Sequence, residues 1–210
     1  MSELFVQQER WADLAEQDYA QIVAVWEQAF PPAERHSEDS VTQRNSTWLW
    51  TARSADKQVV GFATAISLPT LPAAYLEYLA VDSTQRGQGT GAALLATILA
   101  DLCAQAQVRG IMLEVEDPVR TPGSDPLLAR RLGFYARWGA HPVRYLHDYS
   151  MPDLSSPGDR VPMVILWRGI VAGDELERED VKQLLIDLYR GYYAHVAPEG
   201  HLDEMIGLVI

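Results

Sequence analysis

LEYLAVDSTQRGQGTGAALLATILADL, residues 76–102, decides how the rest of the chain is read. An apolar, strand-like run ends at Val81, the polar spacer 82–86 follows, and Gly87, Gly89 and Gly91 lead into a helix. Leu94, Leu95, Ile98, Leu99 and Leu102 give that helix one apolar stripe. Glycine adopts backbone conformations that side chains forbid. A glycine-rich turn at a helix N-terminus presents several amide N–H groups where the helix dipole is positive, and anions bind there. The expected ligand carries a phosphate or a pyrophosphate.

Two common phosphate-binding patterns fit poorly. A P-loop needs Lys-Ser/Thr after its second glycine, where this chain has Thr90-Gly91-Ala92. Gly87-Gln88-Gly89-Thr90-Gly91-Ala92 does match the G-x-G-x-x-A of dinucleotide folds, with Glu114 or Glu116 further on. In those folds, however, the first glycine sits at the strand end. Here residues 82–86 intervene, and too little chain follows for a second nucleotide half.

Composition narrows the class of protein. A chain of 210 residues suits one domain, or one domain with an appendage, and its 48% hydrophobic and 22% charged residues are those of a globular protein. The net charge of −12 argues against a nucleic-acid binder and is compatible with cationic amines as ligands. No apolar run is long enough to span a membrane, and MSELFVQQERW does not read as a signal peptide. The single cysteine, Cys103, reads as a buried structural thiol within the helix after the glycines, and a reducing cytoplasm is expected. The histidines at 36, 141, 147, 195 and 201 have no ligand spacing, so no metal site is expected.

Periodicity predicts strands over 4–8, 47–53, 59–68, 76–81, 111–116, 142–147 and 161–167. Helices are predicted from about 18 to Pro31-Pro32, over 37–43, from the glycines to about 106, and over 126–137. Residues 54–57 read as a hairpin turn, and 117–125 and 150–160 as loops. The expected fold is α/β (α+β), with a mixed, mostly antiparallel central sheet, flanking helices and a C-terminal helical extension. Residues 1–170 form the expected domain. Residues 171–210 form the extension, with nine Asp/Glu against three Lys/Arg from 173 onward. Val181, Leu184, Leu185, Leu188 and Tyr192 give it one helix with an apolar face, broken at Pro198-Glu199-Gly200 and followed by an apolar tail over 205–210. That face packs on its own domain, closes the acceptor pocket, or joins a second copy of the chain in a homodimer.

Arg86-Gly87-Gln88-Gly89-Thr90-Gly91 fits R-x-x-G-x-G, five residues after Leu79-Ala80-Val81. Downstream stands Arg131-Leu132-Gly133-Phe134-Tyr135-Ala136-Arg137-Trp138-Gly139-Ala140. Together, in this order, the two segments resemble the acetyl-CoA signature and the later aromatic motif of the GNAT superfamily of CoA-dependent N-acyltransferases. The resemblance covers roughly residues 4–168 and is specific for fold and donor, not for acceptor. It implies that amides of Gly87, Gln88, Gly89, Thr90 and Gly91, with Arg86, hold the pyrophosphate of acetyl-CoA. It also implies that the strands holding Leu79–Val81 and 111–116 splay. The backbone of Leu79, Ala80 and Val81 then receives the pantetheine arm and supplies an oxyanion donor.

For catalysis the resemblance implies a general acid at Tyr135 and a carboxylate base. Glu77 is the first candidate, since strand alternation puts it on the face of Leu79 and Val81, and serotonin N-acetyltransferases carry a histidine base at a similar place. Glu114 stands where bacterial ribosomal-protein N-acetyltransferases carry a catalytic Glu, and Glu116 shares its face. One departure is that 117–122, longer and proline-rich, lacks the Asn that many relatives have after this strand; Ser124 or Asp125 would stand in. Arg35 and His36 lie in a loop that often walls the acceptor pocket in relatives, and Tyr149 and Met151 are placed to gate it. Trp48, Trp50, Tyr75 and Tyr78 read as sheet packing.

The expected activity is direct acetyl transfer from acetyl-CoA to a primary amine of a small molecule. No metal, nucleic acid or membrane is involved. The alternatives are a protein or peptide N-acetyltransferase and a non-catalytic acyl-CoA-binding sensor.

Overall fold

A computed structural model describes residues 4–44, 47–105, 108–121 and 126–210. Among them the chain forms a mixed α/β fold whose strands are mostly antiparallel. It divides into two compact units, Met1–Ser67 with Leu76–Ala106, and Leu68–Tyr75 with Gln107–Ile210.

The first unit begins with β1 (Phe5–Glu9), α1 (Glu16–Ala29) and the short α2 (Glu38–Thr42). Strands β2 (Thr47–Arg53) and β3 (Val59–Ser67) follow, and β1, β2 and β3 pair antiparallel in sequence order. Ser37 caps α2 through its side chain, which accepts the Ser40 N–H at 3.3 Å. Ile22, Val25 and Trp26 of α1 meet Leu49, Val59, Phe62, Tyr78 and Ala80 in one apolar core. Tyr78 packs edge-on against both Trp26 and Phe30, with ring centroids 5.3 and 4.9 Å apart. The last strand of this unit is the 76–81 part of β4 (Ala73–Val81), which α3 (Thr90–Cys103) follows. Leu94, Leu95, Ile98 and Leu102 are buried along the predicted stripe. Trp50 donates its indole N–H to Asp101 of α3 at 2.8 Å, tying helix to sheet.

In the second unit β5 (Gly110–Glu116) pairs along its whole length with β8 (Arg160–Gly169), antiparallel from Gly110↔Gly169 to Glu116↔Met163. On its other side it pairs in parallel with the start of β4 through Ala73↔Gly110, Ala74↔Ile111 and Tyr75↔Met112. The parallel register covers those three pairs, although both strands continue. α4 (Pro126–Trp138) and the two-residue β6 (His141–Pro142) come next, and β6 pairs with β8. β7 (Ser150–Pro152) also pairs with β8, at Ser150↔Pro162 to Pro152↔Arg160. The C-terminal segment is built into this unit as α5 (Arg178–Asp187), a π-helical turn at Leu188–Tyr192, and α6 (His201–Gly207).

Four local expectations are corrected. The strand expected over 142–147 stops at Pro142, because Tyr145 and Asp148 take left-handed φ of 69° and 57° and turn the chain. Part of the loop expected over 150–160 is β7, its pairing supplied by the long edge of β8. The single C-terminal helix ends at Asp187. There the carboxylate leaves the helix face to accept the amides of Thr70 (3.0 Å) and Leu71 (2.7 Å), and the ladder widens to an i→i−5 bond from Tyr193 N–H to Leu188 O. The first half of the tail expected over 205–210 is the end of α6, and Val209 bridges to Leu146. Cys103 is also exposed rather than buried, since it falls beyond the apolar stripe at the end of α3. Ala106, the expected end of that helix, lies outside the described residues.

Three further contacts fix the C-terminal segment within its unit. Arg109 donates to Asp174 and, at 2.7 Å, to Asp180, and the indole of Trp167 donates to the Asp174 carbonyl at 3.1 Å. Asp187 is itself buried. Removing its side chain leaves two loop amides without an acceptor. That of Leu71 is buried, while Thr70 is exposed and can turn to water, so one buried-donor penalty of about 1–3 kcal/mol applies. Asp187→Ala is therefore expected to lower the unfolding free energy by about 1–3 kcal/mol in urea titrations, and Asp187→Asn by less.

Candidate active site

The turn between β4 and α3 is shaped by backbone geometry. Asp82 accepts the Thr84 N–H at 2.8 Å and the Thr84 hydroxyl at 2.5 Å, which starts a short 3₁₀ turn and lowers the proton affinity of its carboxylate. Arg86 is exposed and donates from Nε to the Val81 carbonyl at 3.3 Å, folding the turn back on the strand end. Gly87 and Gly89 take φ of +78° and +90°, the left-handed region that L side chains rarely adopt. A Cβ at either position would meet nothing within 4 Å, so their backbone angles, not crowding, call for glycine. The first hydrogen bond of α3 runs from the Ala93 N–H to the Gly89 carbonyl. The amides ahead of it, including those of Gly87, Gln88, Gly89, Thr90 and Gly91, stay outside the helical ladder. Such a cradle with a cation beside it fits a pyrophosphate.

Glu77 lies just before this turn, in the first unit. Its side chain is closed off from solvent and accepts Arg44 at 3.0 Å and the Thr64 hydroxyl at 3.2 Å. Thr64 pairs with Leu49 and shares the sheet face of Phe62, the face toward α1. Tyr78 belongs to that same core. Glu77 and Tyr78 therefore both reach the α1 side, and the alternation expected along β4 breaks between them. The Tyr78 hydroxyl accepts the His36 N–H at 3.0 Å and donates to the Glu34 carbonyl at 3.2 Å, which binds the loop after α1 to β4.

In the second unit three phenols converge on one carboxylate. Tyr75 donates to Glu114 Oε2 at 2.5 Å, Tyr193 donates to the same oxygen at 2.7 Å, and Tyr149 donates to Oε1. Glu114 remains half-buried, while the three tyrosines are buried. Close packing desolvates the carboxylate and raises its proton affinity, and the three phenol donors oppose that rise. In turn, burial and the nearby Glu114 charge push all three phenols well above their usual range. Glu116, two residues on, is ion-paired with Arg131 at 3.2 Å.

Tyr135 lies on α4 and is buried, and burial pushes its phenol up to about 12, with Arg131 opposing. Among the described residues its hydroxyl has no hydrogen-bond partner. Trp50, Tyr75 and Tyr78 are buried in the sheet as expected, but the hydroxyls of Tyr75 and Tyr149 serve Glu114, which the sequence reading missed. Met151 is buried, with its sulfur 3.8 Å from the Tyr193 hydroxyl. Ser124 and Asp125 lie outside the described residues.

The family model described as the acetyltransferase (GNAT) family matches residues 8–134. This chain belongs to the GNAT family. Solved structures with the same fold include a GNAT-family protein from Bacteroides thetaiotaomicron, 25% identical with a TM-score of 0.67 over 90% of this chain and 98% of that one. Arabidopsis thaliana NAA60 in complex with acetyl-CoA is 16% identical, with a TM-score of 0.60 over 80% and 99%. The ribosomal-protein-S18-alanine N-acetyltransferase of Escherichia coli is 23% identical, with a TM-score of 0.54 over 82% and 99%. A search among proteins of curated function finds no match. Among the described residues of this GNAT member, no group of His, Cys, Asp and Glu side chains is placed to hold a metal ion, and no helix is long and apolar enough to cross a membrane.

Glu114 makes a stability prediction with a definite sign. Its proton affinity is higher in the folded than in the unfolded protein, so the folded state binds the extra proton. Stability then falls as pH rises from the ordinary value of 4.5 through the raised one. In urea titrations, Glu114→Gln should gain stability relative to wild type as pH climbs from 4.5 toward neutrality. A constant difference across that window contradicts the assignment.

Proposed function

We propose that the protein transfers acetyl directly from acetyl-CoA to a primary amine of a small molecule. The observation that carries the reading is the left-handed turn at Gly87 and Gly89, which leaves amides free at the N-terminus of α3 beside Arg86. Family membership supports acetyl-CoA as the donor, as does the acetyl-CoA complex of NAA60. The amides of Gly87, Gln88, Gly89, Thr90 and Gly91 hold the pyrophosphate. Beyond Tyr75, the backbone of β4 at Leu79, Ala80 and Val81 offers strand-type hydrogen bonds to the pantetheine arm. Acetyl-CoA supplies an activated acyl group as a thioester, and a backbone N–H around Leu79 polarises its carbonyl oxygen.

An alkylamine is protonated in water, with a pKa of about 10.4, and must lose a proton before it attacks. Of the three carboxylates weighed for this task, Glu77 and Glu116 would each have to give up an arginine contact to accept it. Glu114 is held by neutral phenols, keeps some exposure, and has a raised proton affinity. We therefore assign the base to Glu114. The ammonium gives one proton to Glu114, and the freed nitrogen bonds to the acetyl carbon. The carbon–sulfur bond breaks with the electron pair leaving on sulfur, and the second proton of the nitrogen goes to water.

The role proposed for Tyr135 is to serve that departing thiolate. A phenol near 12 stays protonated at neutral pH, whereas a thiol has a pKa of about 8.5 and is the stronger acid. Tyr135 thus stabilises the thiolate by donating a hydrogen bond, and water supplies the final proton. The net charge of −12 favours cationic acceptors, and the single unpaired cysteine suits a reducing cytoplasm. The likeness to the S18-alanine enzyme keeps a protein N-terminus as the second reading.

Release of free CoA thiol from acetyl-CoA, measured across panels of small amines and peptides, tests the proposal. Turnover on small amines is expected. Turnover on peptides alone favours the second reading, and acetyl-CoA binding without any turnover favours a sensor. Absence of acetyl-CoA binding contradicts all three. Tyr135→Phe should lower kcat about tenfold, a barrier change of about 1.4 kcal/mol, while the Kd for acetyl-CoA stays put; unchanged kcat removes the role.

A further inference from the structure

The C-terminal segment sends one polar atom to Glu114. α5 ends at Asp187, which is pinned to the amides of Thr70 and Leu71, and the backbone then widens into the π-helical turn Leu188–Tyr192. The i→i−5 bond from Tyr193 N–H to Leu188 O brings Tyr193 round to the carboxylate. A π-helical widening inside a helix often marks a functional position. Here it is what lets Tyr193 reach Glu114 while Tyr189, four residues earlier, points its hydroxyl to the Ser150 carbonyl at 2.8 Å. Tyr192 stacks edge-on against both Tyr75 and Tyr193, with centroids 4.9 Å apart in each case, and fixes the two rings.

We propose that Tyr193 is a positioning residue of the acyl-transfer reaction, its hydroxyl holding the Glu114 carboxylate ionised and in one orientation for the proton it accepts. The inference rests on Glu114 being the base. It makes the segment after Gly173 part of the catalytic apparatus.

Packing alone does not account for the arrangement. A glutamate in a tyrosine cluster brings a charge that costs free energy to desolvate, and an apolar side chain of similar size would avoid that cost. The cost is offset in part by three charge-assisted hydrogen bonds, which are stronger than neutral ones. The ionisable groups facing Glu114 are Tyr75 from β4, Tyr149 ahead of β7, and Tyr189 and Tyr193 from the C-terminal turn. One layer further out, Arg160, Glu204 and His201 act on Tyr189, directly or through one another. Among the described residues all the direct donors to the carboxylate are phenols, neutral across the working pH range. Removing any one of their hydroxyls therefore favours the protonated acid, which is the form that cannot act as a base.

The experiment uses the full chain with Tyr193→Phe, Tyr149→Phe and Tyr189→Phe, each of which keeps its ring in place. Two quantities are read for each: the acid limb of kcat/KM for an active amine, and the titration of Glu114 itself. The second comes from infrared difference spectra of the carboxylate stretch against Glu114→Gln. Tyr193→Phe and Tyr149→Phe should each move both upward by about one pH unit, the effect of one hydrogen bond to a charged group. Tyr189→Phe removes a hydroxyl from the same turn that donates to the Ser150 carbonyl and not to Glu114, and, acting only through Tyr149 and at a distance, should move both far less. The inference is overturned if Tyr193→Phe leaves the titration at its wild-type position, or if Tyr189→Phe moves it as far. Full turnover by Glu114→Gln has a different meaning, since it contradicts the assignment of the base whatever the titrations give.

Discussion

A partly desolvated carboxylate with no cationic partner among the described residues is the constraint around which the second unit is arranged. Glu114 needs donors, and three separate stretches of chain supply them: Tyr75 at the start of β4, Tyr149 ahead of β7, and Tyr193 after α5. Each stretch is anchored independently. Tyr75 sits in the parallel register of β4 with β5, and Tyr149 precedes a strand paired with β8. Tyr193 follows a helix end fixed by Asp187. The protein contrasts with a salt-bridged site in one respect that matters for chemistry. Phenols stabilise an anion without neutralising it, so the carboxylate keeps its appetite for a proton.

The first unit works under a different constraint. Its glycine turn, which we propose holds the donor, consists of backbone groups, and the side chains matter chiefly by their absence at Gly87 and Gly89. That division explains why the family is plain from the sequence while the acceptor is not. A pyrophosphate cradle depends on local φ values, which glycine spacing encodes directly. Recognition of an amine depends on side chains drawn from distant segments, and these vary within one fold.

The same division sets how much of the structure was legible in the sequence. Strand β2, the apolar stripe of α3 and the glycine turn follow from local patterns, and they appear where expected. The Tyr–Glu cluster does not, because Tyr75, Glu114, Tyr149 and Tyr193 are brought together only by tertiary pairing. Tyr192 fits a helical apolar periodicity, and Tyr193 then reads as its neighbour on a helix, which hides the π-helical widening that aims it. The surroundings of Glu77 stay hidden for a related reason. Strict alternation along β4 fails between Glu77 and Tyr78, and the partner that occupies its carboxylate, Arg44, lies 33 residues away.

Hydrogen–deuterium exchange at the amides of residues 87–91, with and without acetyl-CoA, tests the central claim most directly. These groups lie ahead of the first hydrogen bond of α3 and should exchange fast in the free protein. Saturating acetyl-CoA should slow them markedly and leave the far end of α3 little changed. Binding of acetyl-CoA with no protection at these amides would contradict the account.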